Sequence, residues 1–185
     1  MKDLSNYSEI ELMTLLAGKK QQSEQAFREI YNRYSRRIYA YVYKILENKE
    51  DTQDIFQETF VNFYETYRKQ KTLDNILGLL LKISRNLCLN YKRNEKNQIE
   101  FNEEINSEIM LKNENFEVST LIENSLRIID NESREIFVLR LYEGLSYLEI
   151  SELMGINISS ARTKFQRAKD KIKDFLSPFL SEQYK

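Results

Sequence analysis

Ser146-Tyr147-Leu148-Glu149-Ile150-Ser151-Glu152-Leu153-Met154-Gly155-Ile156-Asn157-Ile158-Ser159-Ser160-Ala161-Arg162-Thr163-Lys164-Phe165-Gln166-Arg167-Ala168 carries the clearest structural signals in the chain. Ser146 and Glu149 stand at capping-box spacing and open a short helix through Met154. Gly155-Ile156-Asn157 forms a tight turn, where glycine permits the backbone angle that a sharp helix–helix corner needs. A longer helix starts near Ser159 and runs toward Ser177, with Pro178 marking its end. At helical spacing Ala161, Phe165, Ala168 and Ile172 fall in one narrow sector that packs on the first helix. Ser159, Thr163 and Gln166 lie opposite, Arg162 and Arg167 flank them, and Lys164 sits nearer the buried edge. The segment 146–171 therefore has the form of a helix-turn-helix.

The pattern extends outward from this motif. Leu121, Ile122, Leu126 and Ile129 mark one helix, and Ile136, Phe137, Leu139, Leu141 and Tyr142 the next, with Gly144 as its C′ residue. Further upstream, 94–117 is dominated by Asn, Glu and Lys and reads as a flexible acidic linker. Before it come a short capped helix after Ser8, a helix from Ser23 to about Leu46, and a polar break at 48–51. A helix carrying Ile55, Phe56, Phe60 and Phe63 follows, then a loop at 68–71 and a helix from about Leu73 to Arg93. The predicted fold is all-α: two small helical domains, 1–94 and 118–185, joined by the linker 95–117, the C-terminal domain being a helix-turn-helix.

Composition narrows the chemistry. Among 185 residues there are four Gly and one Pro, and 31% are charged, as expected of a helical chain. There is no His, and Cys88 is the single Cys, which removes disulfides, Cys/His zinc sites and His-dependent acid–base schemes. No metal site, cofactor, small-molecule substrate or catalytic residue is expected. Cys88, between Leu87 and Leu89, reads as a buried structural thiol. The longest apolar stretch stops at Lys82 and no signal pattern opens the chain, so a cytoplasmic location is expected.

The net charge of −1 conceals a strong asymmetry. Residues 1–94 carry 16 basic and 12 acidic groups, 95–133 carry 3 and 10, and 134–185 carry 9 and 7. Residues 158–173 hold six basic groups against the single acid Asp170. Gln166, Arg162 and Thr163 have donors and acceptors for base edges in a major groove, and Lys164, Arg167, Lys169, Ser159 and Ser160 suit phosphates. A second basic stretch, 82–93, holds four basic groups and no acid. There Arg85 and Arg93 suit phosphates, and Asn86 and Asn90, one turn apart, suit base edges. Asp54, Gln57, Glu58 and Val61 recur at i, i+3, i+4 and i+7, a stripe that chemistry alone leaves as solvated surface. Tyr64 and Tyr67 lie in the apolar stripe of the same helix, which favours core or rim over a stacking platform.

Glu143-Gly144-Leu145-Ser146-Tyr147-Leu148-Glu149-Ile150-Ser151-Glu152-Leu153-Met154-Gly155-Ile156, followed by Arg162-Thr163-Lys164-Phe165-Gln166-Arg167-Ala168, resembles the fourth conserved region of extracytoplasmic-function (ECF) sigma factors, the smallest members of the sigma-70 family. Asp54-Ile55-Phe56-Gln57-Glu58-Thr59-Phe60-Val61 is similar to the family's most recognisable second-region stretch, and Lys82-Ile83-Ser84-Arg85-Asn86 with Asn90, Tyr91, Lys92 and Arg93 to its −10-reading helix. Two departures stand out: Asp130-Asn131-Glu132 replaces a usual Pro, and Leu79 a common Trp. The resemblance implies a non-catalytic initiation subunit whose partners are bacterial core RNA polymerase and promoter DNA. It implies docking of Asp54, Gln57, Glu58 and Val61 on the β′ clamp helices and of part of the second domain on the β flap. It further implies −10 contacts from Arg85, Asn86, Asn90, Tyr91 and Arg93, and −35 contacts from Ser159, Ser160, Arg162, Thr163, Lys164, Gln166 and Arg167. A pocket near 68–75 would help hold a flipped base, the linker would thread toward the polymerase RNA path, and an anti-sigma factor is a further partner of this family.

Two alternatives stay open on the residues alone. A free-standing helix-turn-helix regulator with an N-terminal sensor bundle would bind a palindrome as a dimer. A carboxylate enzyme on a helical bundle is the other, although the missing His forbids the Glu-x-x-His di-metal site.

Overall fold

The computed structural model describes residues 3–70, 75–99 and 118–182. Eight helices and no strand occur among the described residues: α1 (Glu9–Leu16), α2 (Lys20–Leu46), α3 (Lys49–Gln70), α4 (Ile76–Ile99), α5 (Val118–Arg127), α6 (Asn131–Leu141), α7 (Tyr147–Met154) and α8 (Ile158–Glu182). They fall into two compact units, Met1–Phe101 and Asn102–Lys185.

In the first unit α1 packs on α2, α2 on α3 and α4, and α3 on α4. Each helix contributes one apolar stripe, and Leu12, Ile30, Ile38, Tyr41, Phe63, Ile76, Leu80 and Leu81 meet as fully buried side chains. Ser8 caps α1 in a complete capping box with Glu11, whose carboxyl is held below its usual range by the Ser8 N–H and hydroxyl. Polar tethers then tie distant segments together. Arg33 donates to the carbonyls of Tyr7 at 2.7 Å, Leu4 at 2.8 Å and Ser5 at 2.9 Å, which fixes the segment before α1. The Tyr67 hydroxyl donates to the Met13 carbonyl. Glu9 accepts from the Tyr34 hydroxyl and, at 3.0 Å, from the Ile76 N–H that opens α4. Burial and the Glu9 carboxylate push the Tyr34 phenol up to about 12.

Several boundaries differ from expectation. The break at 48–51 narrows to Glu47, in the left-handed region at φ 58°, and Asn48, whose side chain accepts from the Glu50 N–H at 2.9 Å; α3 begins at once with Lys49. Arg68 to Gln70, expected as loop, continue α3, and Lys71 lies outside the described residues. Helix α4 starts at Ile76 with Asn75 accepting from the Gly78 N–H, and it continues to Ile99, into the stretch expected as linker. Glu95, Lys96 and Gln98 are good helix formers, so nothing local stops it at Arg93. Residues 100–117 of the expected linker, and 71–74 of the expected base-pocket loop, lie outside the described residues.

In the second unit α5, α6 and α7 all pack on α8, and α6 also packs on α7. Leu126, Ile129, Phe137, Ala168 and Ile172 form the core, with Ile128, Phe165 and Leu176 against it. Seven consecutive residues of α6, 133–139, are buried, including Arg134, whose Nε donates to the Leu126 carbonyl at 2.9 Å. Asp130 caps α6 by accepting from the Ser133 N–H at 2.9 Å, the role left open by the missing proline. Gly144 adopts φ 72°, but the C-cap is Tyr142, so the glycine stands one residue beyond the expected C′ position. Pro178 does not end α8, which runs through it to Glu182. The Asp174 carbonyl, which would have received the missing N–H at 178, accepts instead from the Ser177 hydroxyl at 3.0 Å.

Candidate nucleic-acid interface

The expected corner of α7 and α8 forms as a chain of caps. The Ser146 N–H donates to Glu149 Oε2 at 2.7 Å and the Glu149 N–H returns to Ser146 Oγ at 3.2 Å. The Ser146 hydroxyl and N–H hold the Glu149 carboxyl below its usual range. Gly155 closes α7 at φ 70°, its N–H on the Ser151 carbonyl at 2.9 Å. A side chain there would be strained by the backbone although space is open around it. Asn157 then caps α8: its Oδ1 accepts from the Ser160 N–H and the Ser159 hydroxyl, both at 2.7 Å.

This frame orients α8 as expected. Ala161 and Ala168 are fully buried and Ile172 nearly so, while Phe165 stacks on Phe137 at 5.7 Å between ring centroids. On the opposite side Ser159, Arg162, Thr163, Gln166 and Arg167 are exposed and Ser160 is half-buried. Gln166 Nε2 donates to Asp170 Oδ1 at 2.9 Å along the same face. Lys164 is engaged within the unit: its Nζ meets Glu132 Oε2 at 2.8 Å, and that bond raises its pKa. Asp130 lies in the same field; burial opposes its ionisation, but the Ser133 N–H and hydroxyl and the Lys164 charge outweigh it and lower its pKa.

One feature at the corner escaped the sequence. The Tyr147 ring carries two guanidinium groups within cation–π range, Arg162 Cζ at 5.5 Å and Arg140 Cζ at 4.9 Å from its centroid. Arg140 in turn donates to the Leu145 carbonyl at 2.7 Å. The three residues come from α6, α7 and α8, so no single-helix periodicity brings them together.

In the first unit the basic end of α4 is positioned by its buried stripe. Ser84 is fully buried, its hydroxyl donating to the Leu80 carbonyl at 2.9 Å and Leu81 at 3.1 Å, and Cys88 is buried as expected. That turns Asn86, Asn90 and Arg93 outward, with Arg85, Tyr91 and Lys92 half-buried beside them. Arg93 donates to Asn90 Oδ1 at 3.1 Å, which joins one expected base-reading group to one expected phosphate-binding group. On α3, Asp54, Gln57, Glu58 and Val61 are all exposed, opposite the buried Ile55, Phe56, Thr59, Phe60 and Phe63. Val61 keeps 57% of its surface open. Tyr67 is core, and Tyr64 is half-buried against Phe27 at 5.5 Å, in keeping with the rim position expected. Among the described residues no group of His, Cys, Asp or Glu could hold a metal ion, and no helix is long and apolar enough to cross a membrane.

A helical bundle with one basic helix end, and a second unit presenting a polar, basic helix from a helix-turn-helix, are the class of arrangement suited to contact with DNA. Comparison with known proteins sharpens the class. The family model described as Sigma-70 region 2 matches residues 30–98, and the one described as Sigma-70, region 4 matches 121–172. The chain is 25% identical over 162 residues to the ECF RNA polymerase sigma factor SigE of Mycolicibacterium smegmatis, covering 83% of this chain and 63% of that protein. It is 23% identical over 169 residues to the ECF RNA polymerase sigma factor SigW of Bacillus subtilis, covering 83% of this chain and 90% of that one. Among solved structures, the sigma factor RpoE of Bartonella quintana, in complex with the anti-sigma factor NepR, has a TM-score of 0.71 at 17% identity, covering 82% of this chain and 96% of that one. CnrH, in complex with the cytosolic domain of CnrY, has a TM-score of 0.61 at 20% identity, covering 91% and 96%. The chain belongs to the sigma-70 family and is an RNA polymerase sigma factor of the ECF type.

Proposed function

We propose a division of labour between three surfaces of this sigma factor. Asp54, Gln57, Glu58 and Val61 on α3 dock on the β′ clamp helices of core polymerase. Arg85, Asn86, Asn90, Tyr91 and Arg93 on α4 engage the −10 element. Ser159, Ser160, Arg162, Thr163, Gln166 and Arg167 on α8 engage the −35 element, joined by Lys164 when it releases Glu132. Part of the second unit meets the β flap. The functional domains are 1–94 and 118–185, with 95–117 as the acidic connection between them. The protein works without catalytic residues or cofactor, alongside cytoplasmic polymerase, and an anti-sigma factor is a natural partner, as the similar RpoE stands in complex with the anti-sigma factor NepR.

The observation that carries this reading is that both polar DNA-facing sets project from helices whose opposite stripes are locked in a core. Their side chains are therefore presented by rigid scaffolds, the condition for direct base readout. Promoter fragments selected by the holoenzyme supply the test. Thr163→Ala should relax base preference near −35 and leave −10 unchanged, and Asn86→Ala should do the reverse, each by about 1–3 kcal/mol at the base contacted. Substitutions that altered both elements equally would contradict the assignment.

A further inference from the structure

The α7–α8 corner holds a group that the proposed contacts do not explain. Tyr147, the first residue of α7, is half-buried, and its hydroxyl makes no hydrogen bond among the described residues. It makes a T-shaped contact with Phe165 at 5.9 Å between ring centroids, and its aromatic cloud is shared by Arg140 and Arg162. Arg140 is fixed independently by the Leu145 carbonyl, whereas Arg162 is exposed and projects from the first turns of α8. Two like charges gathered on one ring would otherwise repel, and the negative face of the ring offsets that repulsion.

We propose that Tyr147 is a positioning residue for promoter recognition: its ring holds the Arg162 guanidinium in a fixed orientation at the DNA-facing side of α8. This rests on the proposed assignment of α8 to the −35 element. Arginine is a long side chain with much rotamer freedom, and ordering it before DNA arrives spares that entropy at binding. A guanidinium set against an aromatic face also keeps its planar fork available for a guanine edge or a phosphate. The neighbouring Lys164 contrasts with it, since its partner Glu132 is an anion that competes with DNA, whereas a tyrosine ring does not. The role needs the ring and not the hydroxyl, so phenylalanine should replace it fully.

The test selects promoter fragments randomised at −35, using holoenzyme assembled from the full chain and bacterial core polymerase, with thermal melting of every variant alongside. Wild type and Tyr147→Phe should recover the same base preferences. Tyr147→Leu, which keeps an apolar contact with Phe165 but lacks the ring, should relax preference by about 2- to 5-fold, the range of an exposed cation–π contact. The loss should fall at the same positions that Arg162→Ala relaxes, and the double variant should be no worse than Arg162→Ala alone. If Tyr147→Leu melts early, Tyr147→Met serves as the ringless variant. The proposal is overturned if the ringless variants keep the wild-type profile, if their cost persists undiminished in the Arg162→Ala background, or if Arg162→Ala itself changes no preference. A wild-type holoenzyme that enriched no −35 sequence would remove the −35 assignment along with it, a result separable from those three.

Discussion

Helices α8 and α3 have the same plan, a buried apolar stripe backed by an exposed one, yet their exposed stripes are finished differently. On α8 four of the outward groups are engaged by neighbours: Arg162 on Tyr147, Lys164 on Glu132, Gln166 on Asp170, Ser159 on Asn157. On α3 one member of the stripe, Glu58, accepts from Asn62 Nδ2 at 3.4 Å, whereas Asp54 and Gln57 have no such partner among the described residues and Val61 beside them is largely bare. A duplex offers a fixed array of donors, acceptors and charges, so pre-oriented side chains suit it. A protein partner brings its own side chains and can bury an exposed Val, which suits a stripe left mostly unengaged and holding an apolar member.

The largest effect that probes this contrast comes from Asp54→Arg. Reversing a charge at the proposed polymerase contact should weaken core binding by about 2 kcal/mol or more, roughly 30-fold, with no change in melting temperature because the residue is exposed. An unchanged affinity by titration against labelled core polymerase would break the distinction between the two helices. Ser146→Ala is next. It removes a cap that supports the frame of α8, and the second unit should lose about 1 kcal/mol, read by denaturant unfolding, together with some affinity for promoter DNA. The smallest effect belongs to Glu132→Gln. A partly exposed pair contributes about 0.2–1 kcal/mol to stability, but freeing Lys164 for phosphate should tighten DNA binding and steepen its salt dependence by about one counterion. An unchanged salt dependence would place Lys164 away from the DNA.

The helix-turn-helix was the most legible part of the chain because its signals are local. A capping pair three residues apart, a glycine at positive φ and an apolar stripe at 161, 165, 168 and 172 need no knowledge of the rest of the fold. Errors arose where a local rule met an unseen compensation. Pro178 lies inside α8 because the Ser177 hydroxyl serves the carbonyl that proline leaves open. Arg68 extends α3 because a charged stretch without Gly or Pro continues a helix as readily as it ends one. Contacts between helices were invisible for another reason. The Glu132–Lys164 pair and the Arg140–Tyr147–Arg162 cluster join elements whose relative placement depends on the packed core. The stripe on α3 was visible as a pattern, but only family resemblance gave it a partner.

On this reading the chain carries core polymerase to a promoter through these two differently finished helices. The decisive experiment is run-off transcription with purified chain and sigma-free core, on a template pool with randomised promoter elements. Transcripts are expected from one shared −35/−10 sequence pair, dependent on the chain and lost with Asp54→Arg. A chain that gave no promoter-specific transcript with core, yet bound a palindromic duplex by itself, would contradict it.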